Sequence, residues 1–165
     1  MDATFPWGLP ADAAFYLALY IITLVLHVFP MTYILAGSAV LFWAAAFPGS
    51  GPLPRPKQPL LLMLRDWSPF VLSGAITAAV APLLFVQILY PRHFYTANLL
   101  LGARWMIVIP ALILAFYLLY LIKAKAVSRW PAAGRIAVTL VAALCFLFVA
   151  FCWTAHHLLS ITPDA

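Results

Sequence analysis

Four stretches without a single charged side chain decide what this chain can become: residues 13–54, 67–91, 105–122 and 136–163. A helix crosses the ~30 Å hydrocarbon layer with ~20 apolar residues. Inside lipid every backbone N–H and C=O must be satisfied within the protein, which a helix does along its own length. The expected fold is therefore all-α: an integral membrane four-helix bundle, one domain over residues 1–165, with helices at about 13–47, 69–90, 105–122 and 134–161. Composition agrees, since 67% of the 165 residues are hydrophobic, 8% are charged and none is glutamate.

Proline and glycine set the expected boundaries. Pro48, Gly49, Gly51, Pro52, Pro54 and Pro56 forbid helix after Phe47 and mark a loop. Leu60 to Arg65 is read as a short interfacial turn. Ser68 before Pro69 reads as an N-cap followed by proline at the first helical position. Pro91, Arg92 and His93 open an aromatic loop running to about Arg104.

Basic residues fix an expected orientation. Arg55, Lys57, Arg65, Lys123, Lys125, Arg129 and Arg135 belong to the first and third loops, and only Arg92 and Arg104 lie opposite. The positive-inside rule then puts both termini on the outer side, the periplasm for a bacterial inner (cytoplasmic) membrane. The formal charge of +5 is accounted for by this bias, so no nucleic acid is called for. Met1 to Asp12 carries no Lys or Arg, unlike a cleaved signal peptide, so the first helix is expected to stay attached. Cys145 and Cys152 lie seven apart on one helix, so they cannot pair with each other, and there is no CxxC, CxxCH or zinc pattern.

His27 is the residue that hydrocarbon tolerates least. It lies ~20 Å along its helix from Phe15, on a stripe with Tyr20, Thr23 and Met31, three residues before Pro30, which removes a backbone bond and can open space. An ionisable group at that depth is a functional-site hypothesis. One reading is an imidazole hydrogen-bonded to a neighbouring helix; the other is an axial ligand to haem b in an apolar four-helix interior. His156, on the inward stripe of Cys145, Cys152 and Ser160, is the preferred second ligand. His157 points ~100° away, and Met31 is a reserve. Arg92 and Arg104 are candidates for propionates or lipid headgroups. Gln87 is a candidate for a ligand, including a quinone, or for the headgroups.

These residues carry a resemblance. His27-Val28-Phe29-Pro30 followed by Gly37-Ser38-Ala39 resembles the first helix of subunit I of cytochrome bd-type quinol oxidases and their shorter cytochrome b-like relatives. Ser73-Gly74-Ala75-Ile76-Thr77 with Phe85-Val86-Gln87 resembles that family's second helix. The likeness spans most of the chain. It implies a membrane four-helix unit with outward termini and His27 as a haem ligand. The chain departs from the family in having no glutamate on its third helix, and it carries neither the helices that hold the low-spin haem's ligands nor the quinol-oxidation loop, so a complete oxygen-reducing site is not implied.

Two functions are expected from these features. One is a membrane cytochrome b subunit of a quinol-linked complex, passing electrons between quinol and an outer-side partner, a periplasmic cytochrome c or iron–sulfur subunit, beside other membrane subunits and lipid. The other is a haemless subunit that anchors a larger respiratory or photosynthetic complex, for which the six tryptophans suffice as packing and interface anchors.

Overall fold

The computed structural model describes residues 9–47, 58–124 and 127–162. Four long helices make up nearly all of it: α1 (Ala13–Ala46), α2 (Gln58–Leu89), α3 (Pro91–Lys123) and α4 (Ala132–Ile161), with a 3-10 turn at Val127–Arg129 before α4. Each is long and apolar enough to cross a membrane. The protein is a multi-pass membrane protein with an all-α bundle. At 30 to 34 residues the helices are roughly 45–50 Å long, so their ends pass beyond the hydrocarbon into the headgroup layers.

The helices pack in chain order around the bundle: α1 on α2 and α4, and α3 on α4 and α2, with only slight diagonal contact between α2 and α4. Large apolar side chains face outward, among them Phe29, Leu99 and Tyr117, because lipid is as apolar a solvent as a protein core. Inside, Ile34, Leu72, Ala115, Leu119, Ala142 and Phe146 form a dry cluster. Gly37 lets α1 and α2 approach; a Cβ there would meet Leu64 Cδ2 at 3.3 Å.

Two boundaries differ from expectation. Helix α2 starts at Gln58, not Pro69, so Leu60 to Arg65 is helical and Ser68 is no N-cap. Its hydroxyl instead donates to the Leu64 carbonyl of its own helix, and both Ser68 and Pro69 are fully buried. A proline inside a helix removes one bond, here the one to the Arg65 carbonyl, and a membrane helix tolerates that loss where neighbouring helices pack around it. Helix α3 starts at Pro91, not Trp105, directly after Tyr90. Proline at the first helical position loses nothing, because its N–H would be an orphan anyway. Arg92, His93 and Arg104 thus sit on a helix rather than in a loop. The proline–glycine loop after Phe47 lies outside the described residues, as do Arg55, Lys57 and Lys125.

At the end of the bundle that carries Arg65 and Lys123, Lys123 Nζ donates to the Asp66 carbonyl at 3.2 Å and lies 5.0 Å from the Phe70 ring centre. Arg65 pairs with Asp66 at 2.8 Å. The contacts tie the start of α2 to the end of α3.

Candidate functional site

Serine and threonine hydroxyls on the helices bond within their own helices. Thr23, Ser38, Thr77, Thr139 and Ser160 each donate to a carbonyl three or four residues back, the usual way a membrane helix hides a hydroxyl. The imidazoles and indoles are different. Among the described residues the buried side-chain nitrogens without a hydrogen-bond partner are His27 Nε2, His156 Nδ1 and Nε2, His157 Nδ1, Trp105 Nε1, Trp153 Nε1 and Arg135 Nε. All but Arg135 belong to one knot of rings at the other end of the bundle from Lys123.

His27 is held first. Its Nδ1 donates to the Ala75 carbonyl of α2 at 3.1 Å, made possible by the small residues around Ala75. That bond fixes the tautomer: the hydrogen is on Nδ1 and the lone pair on Nε2, the nitrogen with no partner. A histidine whose other nitrogen donates to a backbone carbonyl is the arrangement in which an imidazole ligates iron or another metal.

Trp153 lies against His27, ring centres 4.5 Å apart and tilted 41°. It also stacks on His157 at 4.6 Å and 11°. His157 Nε2 hydrogen-bonds the Tyr20 hydroxyl of α1. A column of rings, Tyr20, His157, Trp153 and His27, therefore joins α1 and α4. His156 sits apart from it, edge-on to Phe94 at 5.0 Å and to Trp105 at 5.3 Å, both on α3. The Phe94 main chain is close enough for at most a weak hydrogen bond to it, and neither ring nitrogen makes a bond of normal geometry. Geometry decides here, because a bent or long contact recovers little of the desolvation.

A cavity of about 190 Å³ adjoins the column, lined by His27 and Met31 from α1, Ala75 from α2, Trp105 from α3, and Phe146 and Trp153 from α4, among others. It unites His27 with Met31 but not with His156. Met31 follows His27 by one turn of one helix, so the two side chains leave α1 on the same face. Gln87 Nε2 donates to the Tyr95 hydroxyl at 2.7 Å, across the Tyr90 junction. Arg92 and Arg104 are exposed on α3 and do not line the cavity.

His157 is the residue the sequence placed least well. Expected to point ~100° off the inward stripe, it is 6% exposed against 1% for His156. The reason is that α4 packs on both α1 and α3, so one turn offers two buried directions, His156 toward α3 and His157 toward α1. The sequence marks Trp105 and Trp153 only as packing or interface anchors. The four-residue step from Trp153 to His157, which puts both rings on one face, was the available signal. Cys145 and Cys152 are free thiols, and no group of three or more His, Cys, Asp or Glu among the described residues could cage a bare metal ion.

Compared with protein-family models, curated proteins and solved structures, the chain has no match.

Proposed function

We propose that this chain is a membrane cytochrome b-like subunit of a quinol-linked electron-transfer complex, with His27 Nε2 as an axial ligand to haem b. One observation carries this: a deeply placed imidazole whose Nδ1 is tied to Ala75 and whose Nε2 is buried, bare and beside a cavity. An unsatisfied nitrogen in hydrocarbon is costly, and coordination removes that cost. The resemblance to cytochrome bd subunit I, carried by the residues around His27, supports the same assignment. The donor atoms fit the group, which when bound supplies a one-electron couple. The space fits only in part, because 190 Å³ falls below the ~300–1,000 Å³ of ordinary ligand pockets. Trp153 and Trp105 must turn aside for a porphyrin to enter.

The volume itself favours a second reading. A cavity of ~150 Å³ holds a benzene ring, so this one suits the headgroup of a quinone. His27 Nε2 would accept from a quinol hydroxyl, and Trp105 or Trp153 Nε1–H would donate to a ring oxygen.

The topology proposed is that of a bacterial inner membrane protein with both termini in the periplasm. Reporter fusions at Pro54 and Ser128 are expected to report cytoplasm; periplasmic signals at both would invert the placement of every histidine. With the ring knot then in the outer half, electrons pass to a periplasmic cytochrome c or iron–sulfur partner, and other membrane subunits and lipid cover the apolar faces. Oxygen reduction is not part of the proposal. Between the Asp66–Lys123 end and His27 the described interior is the apolar cluster with the buried hydroxyls of Ser38, Ser68 and Thr139, which offers no carboxylate or amine to carry protons inward. Purified alone and assayed with quinol in an oxygen electrode, the chain is expected to consume no oxygen. Cyanide-sensitive consumption, or an outer face bare of a redox partner in the intact assembly, would overturn the passage of electrons to an outer-side partner.

A further inference from the structure

We infer that the cavity beside His27 receives the head of a single-ring hydroquinone, entering from the lipid through a mouth at Ile76. This rests on the quinone reading of the cavity, the alternative to haem on His27. Among the described residues that line the cavity none is charged, and the side-chain nitrogens left without a partner are His27 Nε2, Trp105 Nε1 and Trp153 Nε1. A charged ligand would lose its hydration there with no counter-charge to replace it, so the occupant is neutral. An indole N–H only donates. His27 Nε2 only accepts, because the ring hydrogen is held on Nδ1 by the Ala75 carbonyl. The occupant must therefore both give and receive hydrogen bonds. A hydroquinone hydroxyl does both, whereas the oxygens of the oxidised quinone only accept and leave His27 Nε2 unpaired.

Size sets the ring count. The cavity, about 190 Å³, exceeds the ~150 Å³ that holds a benzene ring by little more than the ~30 Å³ share of one water molecule. That room takes small ring substituents but not the four further carbons of a fused second ring. The wall reaches lipid at Ile76 on α2, which is 37% exposed where the adjoining wall residues Leu72 and Ala75 are buried. Ala79, one turn on, closes the wall with only a methyl group. A ligand whose head fills the cavity can leave its apolar tail in the bilayer through that gap.

The test is competition binding to the full-length chain in detergent, without oxygen. The probe is a tritium-labelled dimethylbenzohydroquinone with a decyl tail, read by scintillation proximity, and it is expected to bind saturably. Its oxidised form is expected to compete about 10-fold less well, the cost of leaving one buried acceptor unpaired, and this preference disappears in His27→Ala. A naphthohydroquinone with the same tail is expected not to compete in the wild type, and to compete once Leu112→Ala enlarges the cavity. Ile76→Trp, which blocks the mouth, is expected to abolish binding of the probe; binding at the wild-type level in that variant would overturn the mouth. Competition by the two-ring compound as strong as that of the unlabelled probe, or by the oxidised form as strong as the reduced, would overturn the inference and leave the quinone reading standing. Both comparisons use the wild type, so neither depends on a variant folding. No saturable binding at all would overturn the quinone reading, and this inference with it.

Discussion

His27→Ala is expected to abolish bound haem b while the four helices still insert. The substitution removes the Nε2 lone pair and the hydrogen bond to Ala75, but it takes away little apolar surface from α1, whose 34 residues remain long and apolar enough to span the bilayer. Losing a neutral side chain–backbone bond costs about 1 kcal/mol, far short of unfolding a bundle. Losing the ligand removes the binding. Haem per polypeptide should therefore fall to background while membrane yield and helical circular dichroism stay close to wild type. His27→Gln, which can still donate to Ala75 but offers no imidazole, should be equally haem-free. Full haem retention in either variant would remove the basis of the cytochrome assignment.

Phe146→Ala is expected to cause the largest loss of stability of any single truncation in the core. Phe146 is 4% exposed and belongs both to the dry cluster and to the cavity wall. In water such a change costs ~3–5 kcal/mol, part of it the transfer of the ring out of solvent. In a bilayer that part largely disappears, because the unfolded reference is also in lipid. What remains is lost packing around an enlarged cavity, which puts the expected cost at about 2 kcal/mol. Reversible unfolding in mixed micelles measures it; a variant as stable as wild type would show that the cluster is not tightly packed.

The four spans were legible because uncharged runs of this length admit few other structures in lipid. Their ends were not. Ser68-Pro69 has the composition of a helix start, yet it lies about three turns inside α2, where burial against neighbouring helices overrides the local preference. Arg92, His93 and Arg104 interrupt the apolar run and so suggest a loop, but Arg92 and His93 lie at the end of a helix that outruns the hydrocarbon, where a charged side chain costs little, and Arg104, more than three turns further in, has a stem long enough to snorkel. At the site, the depth of His27 marked it from sequence alone. The Ala75 carbonyl that sets its tautomer could not be seen, because any residue supplies a carbonyl and only the approach of α1 to α2 selects this one. The same limit hid the Tyr20–His157 pair. Helical spacing says that His156 and His157 point in different directions, and only the packing of α4 between α1 and α3 makes both directions buried.

The most direct test of the central claim is a reduced-minus-oxidised optical difference spectrum of the wild-type protein, purified within its intact assembly and beside His27→Ala. A Soret and alpha band of haem b, present in the wild type and absent from the variant, is the result expected. A fully intact assembly whose wild-type chain shows neither band would contradict it, and would leave this bundle as a haemless anchor in the membrane.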